Sequence, residues 1–133
     1  MASKPIPPYL PSILRAWSLF ALSMGTCGTL TGLDMINIYG LPSPSITTPG
    51  DIMADSNFRY FGAQWACWGA MLYWTAGDLK ARKAPLAILW GFLAFGGVGR
   101  TIGVLRHGAG SMFPGIAIIC EFMFPVMVWA AMR

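Results

Sequence analysis

Arg59, Arg100 and Glu121 lie within or at the edge of three of four long apolar runs, and this mixture of hydrocarbon-like sequence with ionisable groups constrains the fold more than any other feature. The runs extend roughly from Ile13 to Leu33, Asn57 to Gly77, Pro85 to Leu105 and Met112 to Met132. Each is close to the ~20 residues with which a helix crosses a bilayer core of about 30 Å. A water-soluble helical bundle would carry charge on its outward faces at a repeat near 3.6 residues, whereas these segments are apolar almost all round. Composition supports the same choice, with 56% of the 133 residues hydrophobic and 11% charged. The sequence therefore predicts an all-α fold, an antiparallel bundle of four transmembrane helices forming one integral membrane domain over residues 1–133.

A net charge of +4 would suggest a nucleic-acid partner for a soluble domain, but here the distribution carries the information, and no nucleic acid is expected. With four spans, Lys4, Arg15, Lys80, Arg82, Lys83 and Arg133 share one side with Asp78 as the opposing charge. Asp34, Asp51 and Asp55 fall on the other side, with Arg106 and His107. Positive charge collects on the cytoplasmic face, so both termini are expected there, with the endoplasmic reticulum as the expected membrane. The first run is too long for an ordinary signal-peptide core and lacks a small-residue cleavage site, so it reads as an anchor. The proline-rich start from Lys4 to Pro11 is expected to lie extended at the interface.

Cys27, Cys67 and Cys120 fall inside the runs without metal-type spacing and read as apolar filler. Gly28-xxx-Gly32, Gly62-xxx-Ala66-xxx-Ala70 and Gly99-xxx-Gly103 give the first three helices strips of small residues. Such strips let helix backbones approach within a bundle and leave a homodimer open.

Depth sharpens the polar set. Asp55 stands at the mouth of helix two, with Arg59 one turn further on the same face. Arg100 lies roughly 9 Å inward from the Arg106 end of helix three, and Glu121 roughly 13 Å inward from the start of helix four, at 1.5 Å per residue. All are thus expected in one half of the membrane, where facing one another costs less than facing lipid. Tyr60, Gln64, Trp65 and Trp68 on helix two, Asp34 and Asn37 at the end of helix one, and His107 at the exit of helix three extend the candidate site. Several have a plainer reading: Asp55 as the helix-two N-cap, Asp51 as a turn or cap residue, His107 as a solvated turn residue, and Arg59, Arg100 and Glu121 as a salt-bridge network that fixes helix register.

Asn57-Phe58-Arg59-Tyr60-Phe61-Gly62-Ala63, Phe95-Gly96-Gly97-Val98-Gly99-Arg100-Thr101, and Glu121 followed by Pro125 resemble a family of small four-helix membrane proteins catalogued as a domain of unknown function in bacteria and fungi. The resemblance covers about residues 13 to 132. Thr101, Gly103 and His107-Gly108 depart from its usual pattern, in which Ser follows the helix-three Arg. The likeness is to fungal members, small membrane proteins of a kind that accompanies polyketide and terpenoid pathways, an implication by analogy only.

No nucleophilic Ser or Cys has a base partner, and neither a metal cluster nor a phosphate loop is present in the sequence. No cofactor is expected. The expected chemistry is acid–base catalysis on a lipophilic substrate, with epoxide hydrolysis or cyclisation as the leading reaction and isomerisation as a relative. Glu121 and Asp55 are the candidate acid and base, and Arg59 and Arg100 orient them and stabilise oxyanion charge. The alternative is a non-catalytic lipid-binding, transport or scaffold subunit. Membrane lipid is a partner in either case.

Overall fold

The computed structural model describes residues 6–132. Lys4 and Arg133, which entered the charge asymmetry, and Pro5 of the proline-rich start lie outside the described residues. The described regular structure is all helical: α1 Leu10–Thr31, a 3-10 segment Gly32–Tyr39, α2 Pro49–Ala76, α3 Lys83–His107 and α4 Phe113–Ala131. Residues 14–77 form one compact unit, and residues 78–132 with 6–13 belong to another.

Three stretches are long and apolar enough to cross a membrane: Leu10–Ile38, Lys83–His107 and Met112–Ala131. The expected fourth, α2, is the longest helix but does not meet that description. Asp51, Asp55, Asn57, Arg59 and Gln64 lie along it, and much of its bulk is Trp and Tyr rather than aliphatic. Elsewhere large apolar side chains stand open, with Phe95 79% and Leu105 80% exposed. Water penalises such surface, while hydrocarbon does not, so the apolar helices suggest a membrane protein.

Helix boundaries follow local chemistry. α1 begins at Leu10, inside the proline-rich start expected to be extended, because Pro11 in the first turn needs no N–H donor there. α2 begins at Pro49 rather than near Asn57. Thr48 is its N-cap: its hydroxyl accepts from the Asp51 N–H at 3.2 Å, and an Asp51 carboxylate oxygen accepts from the Thr48 N–H at 2.8 Å. This reciprocal capping box makes Asp51 a cap partner and leaves Asp55 inside the helix, so Asp55 is not the N-cap.

Within residues 14–77, small residues set the packing of α1 on α2. A Cβ on Gly62 would stand 2.5 Å from the Thr29 nitrogen, and one on Gly69 2.7 Å from the Leu22 nitrogen. Gly25 meets Gly62 and Ala66, so the working strips are Gly25 and Gly28 on α1 and Gly62, Ala66 and Gly69 on α2. Ala70 is exposed. In the other unit the expected strip of Gly99 and Gly103 faces open space, and the close approach is made by Gly97, where a Cβ would stand 3.1 Å from both the Glu121 Cβ and the Phe122 ring. Spacing alone does not say which face of a helix meets a neighbour. Leu86, Leu89, Trp90, Leu93 and Gly97 form the buried stripe of α3, at the three- and four-residue intervals of one helix face.

Candidate functional site

The structure joins Arg100 of α3 to Glu121 of α4. Arg100 Nε donates to both Glu121 carboxylate oxygens at 3.2 Å, and Nη2 donates to Oε1 at 3.0 Å. Glu121 is buried, whereas the Arg100 side chain keeps 38% of its surface. The guanidinium carbon also lies 5.7 Å from the centre of the Phe113 ring, a cation–π distance. Two sequence features bring the carboxylate this close to α3. Gly97 lets α4 approach, and Thr101 turns its hydroxyl back to the Gly97 carbonyl at 2.7 Å, so it leaves the pair to itself. Pro125, one turn after Glu121, has no N–H, which removes the usual donor to the Glu121 carbonyl and adds local polarity beside the carboxylate.

A groove of about 570 Å³ runs between α3 and α4 on the α3 N-terminal side of this pair. Its walls include Leu86, Trp90, Gly91 and Ala94 from α3 and Pro125 and Trp129 from α4. Such a volume is within the range of small-molecule sites. Gly91 and Ala94 leave room on the α3 side of the groove, a property that their spacing in the sequence does not by itself reveal.

Asp55 and Arg59 form a different arrangement within residues 14–77. Arg59 Nε donates to Asp55 Oδ2 at 2.7 Å, one helical turn apart. The Leu33 N–H donates to Asp55 Oδ1 at 2.8 Å, and Arg59 Nη1 donates to the Thr29 and Leu30 carbonyls at 3.2 and 2.6 Å. These carbonyls belong to the last turn of α1, where helix geometry leaves them without an i+4 donor. The pair thus closes the end of α1 and holds the start of the 3-10 segment. Asp55 lies on the polar N-terminal part of α2, outside the three apolar stretches. The Arg59 hydrogen bond, and after it the Leu33 N–H, hold its carboxyl below the usual range. Asp51 is likewise lowered, first by the Thr48 backbone N–H and then by the Thr48 hydroxyl.

Gly32 completes this clasp. Its φ of +61° is a left-handed conformation, and a Cβ there would collide with Asp55 and Arg59. The sequence reading placed it in a packing strip; its other signal was its position two residues before Asp34, where the apolar run of α1 fails.

The remaining candidates have their own local surroundings. Asp34 and Asn37 are exposed in the 3-10 segment, and the Asn37 amide donates to the Ser43 hydroxyl at 2.6 Å. Tyr60 is exposed and meets the edge of Phe61 at 6.0 Å, Gln64 is exposed, and Trp65 stacks on the buried Trp68 at 5.0 Å. His107 is the exposed last residue of α3. Among the described residues, no group of three or more His, Cys, Asp and Glu side chains is placed to hold a metal ion.

Fold and site together define an all-α protein with three membrane-length apolar stretches and an ion pair set between two of its apolar helices. The chain belongs to the family described as a domain of unknown function (DUF4345), which matches residues 11–132. No curated protein and no solved structure matches it.

Proposed function

We propose that the chain is an integral membrane enzyme that performs acid–base chemistry on a lipophilic, polyketide- or terpenoid-like substrate in the α3–α4 groove. The observation that carries this reading is the Arg100–Glu121 pair, seated about a turn from an apolar groove in helices suited to hydrocarbon. A buried ion pair is weak evidence for stability, because desolvation offsets much of its attraction. An ionisable residue at membrane depth is instead a functional candidate by default.

Glu121 is the proton-transferring group in this reading. Epoxide opening adds a proton to the departing oxygen while a hydroxyl or water forms the new bond to carbon and releases its own proton. The Glu121 carboxylate takes the proton of the attacking hydroxyl or water and returns it to the oxygen freed as the C–O bond breaks, so no net proton is consumed. Arg100 orients Glu121 and stabilises negative charge developing on the oxygen. Asp55 takes no part in the proton transfer in this reading, since both of its oxygens are engaged by Arg59 and the Leu33 N–H. In the same reading α2 is the fourth span, both termini face the cytoplasm with Lys80, Arg82 and Lys83, and the membrane is that of the endoplasmic reticulum in a fungal biosynthetic setting.

The test is to compare lipophilic metabolites in a host strain lacking the chain, complemented with wild type or Glu121→Gln. A catalytic Glu121 predicts turnover at least about a hundredfold slower in the variant, so one compound accumulates as in the deletion strain although the protein is present at wild-type level. A wild-type metabolite profile from Glu121→Gln rejects catalysis by this residue.

A further inference from the structure

The groove has one charged wall residue. Lys83 lines its end at the first turn of α3, and the other lining side chains, through Trp129 and Met132, are apolar. Lys80 precedes it in an exposed position, and the nearby Asp78 carboxylate accepts from the Ala81 N–H at 3.0 Å. Arg82, the N-cap of α3, has no acceptor atom with which to cap the first N–H groups of the helix. The cationic Lys83 side chain and a helix N-terminus therefore stand at one end of an apolar channel, an arrangement complementary to a negative head on a hydrocarbon tail.

We infer that the groove takes a single-chain amphiphile with a carboxylate head, the head at Lys83 and the tail directed along Gly91, Ala94 and Pro125 toward Glu121. Resting on the function proposed above, this placement adds a ruler. Lys83 and Gly97, the residue that touches Glu121, are separated along α3 by about 21 Å at roughly 1.5 Å per residue. The reacting group of the substrate accordingly lies near the far end of the chain, about that distance from its carboxylate. A compact lipophile without a charged head would leave Lys83 unused, and one with the reactive group beside the head would place it at the wrong end of the groove.

The test uses the full chain in phosphatidylcholine nanodiscs. Dibrominated octadecanoic acid and the matching dibrominated alcohol serve as quenchers of tryptophan fluorescence, because Trp90 and Trp129 line the groove. The acid is expected to quench saturably with an affinity about tenfold above that of the alcohol, the scale of one charge-assisted contact. Lys83→Gln should erase the difference between the two. Gly91→Leu should weaken both, since a Cβ at Gly91 meets no neighbouring atom and a longer side chain there can occupy the groove without displacing the helices. Equal affinities for acid and alcohol, with Gly91→Leu still effective, would overturn the anionic head and leave the lipophile site standing. Quenching that rises without saturation, or that ignores Gly91→Leu, would overturn both the amphiphile and the groove as a binding site. Saturable acid binding in a protein whose Glu121→Gln variant retains a wild-type metabolite profile would support the amphiphile while removing the catalytic reading.

Discussion

The two arginine–carboxylate pairs use the same chemical groups to different ends. Asp55 and Arg59 stand one turn apart on a single helix and spend their remaining hydrogen bonds on backbone: the Leu33 N–H and the Thr29 and Leu30 carbonyls. Arg100 and Glu121 come from different helices, and the guanidinium makes three hydrogen bonds to the one carboxylate. The first pair is committed to the chain around it. The second is joined side chain to side chain, with a groove beside it, and can be exchanged for another charge arrangement without unmaking a helix end. Proximity of opposite charges thus says little about role until the other hydrogen bonds of each group are followed.

Paired substitutions should break this comparison most strongly. Glu121→Leu leaves Arg100 without its carboxylate and should lower stability by on the order of 3 kcal/mol, the low end of the range for buried pairs because Arg100 is 38% exposed. Adding Arg100→Leu should recover most of that loss, since two apolar side chains suit the α3–α4 packing. Arg59→Leu combined with Asp55→Leu should recover nothing relative to Arg59→Leu, because the α1 carbonyls and the Leu33 N–H lose their partners either way. Unfolding midpoints in detergent for these two single and two double variants decide the matter. Recovery in both doubles would erase the distinction between the pairs.

Gly32 gives the next largest effect. Gly32→Ala should cost more than the roughly 1–2 kcal/mol of a left-handed non-glycine residue, because the new methyl also meets Asp55 and Arg59. Gly99→Ala should be silent or stabilising by up to about 1 kcal/mol, since a Cβ there meets nothing and the glycine lies mid-helix. Thermal midpoints of the two variants, compared at one detergent concentration, should differ in sign or size accordingly; equal losses would deny the clasp its special geometry.

The smallest effect is that of acid. Asp51 and Asp55 both have folded carboxyls held below their ordinary value of 3.8, so each binds its proton less readily when folded than when unfolded. Their contribution is present above that value and is lost as pH falls through the lower folded values. Stability followed from about pH 5 to about pH 2 should fall, and Asp55→Asn should flatten part of the slope. An unchanged slope in that variant would detach Asp55 from the acid response.

Much of this was legible from the chain because apolar length is a one-dimensional property. The runs ending near Leu105 and Met132 correspond closely to α3 and α4, and the depth argument placed Arg100 and Glu121 within reach of each other. What residue spacing does not supply is direction around the helix axis. The direct hydrogen-bond partners are Arg59 with Asp55 and Arg100 with Glu121, each pair within its own unit, and Gly97 rather than Gly99 or Gly103 faces α4. The start of α2 was recoverable, since Thr48-Pro49-Gly50-Asp51 contains both halves of a capping box with proline at the first helical position. Reading Asp51 as a turn or cap residue, with the helix starting near Asn57, left it unused. The Asp55 contact to Leu33 was beyond reach, because it depends on a backbone N–H that the left-handed turn at Gly32 presents.

That early start gives α2 a length out of proportion to its surroundings. Its 28 residues measure about 42 Å along the axis at 1.5 Å per residue, against a hydrocarbon slab of about 30 Å. In the four-span arrangement proposed above, an upright α2 overshoots by about 12 Å, the length of Pro49 through Ser56. In that arrangement the overhang would contain both of its carboxylates, Asp51 and Asp55, and Arg59 would lie just inside the slab. The Asp55–Arg59 bridge would then straddle the boundary between headgroups and hydrocarbon, where it would resist sliding of α2 in either direction and serve as a depth stop for the helix.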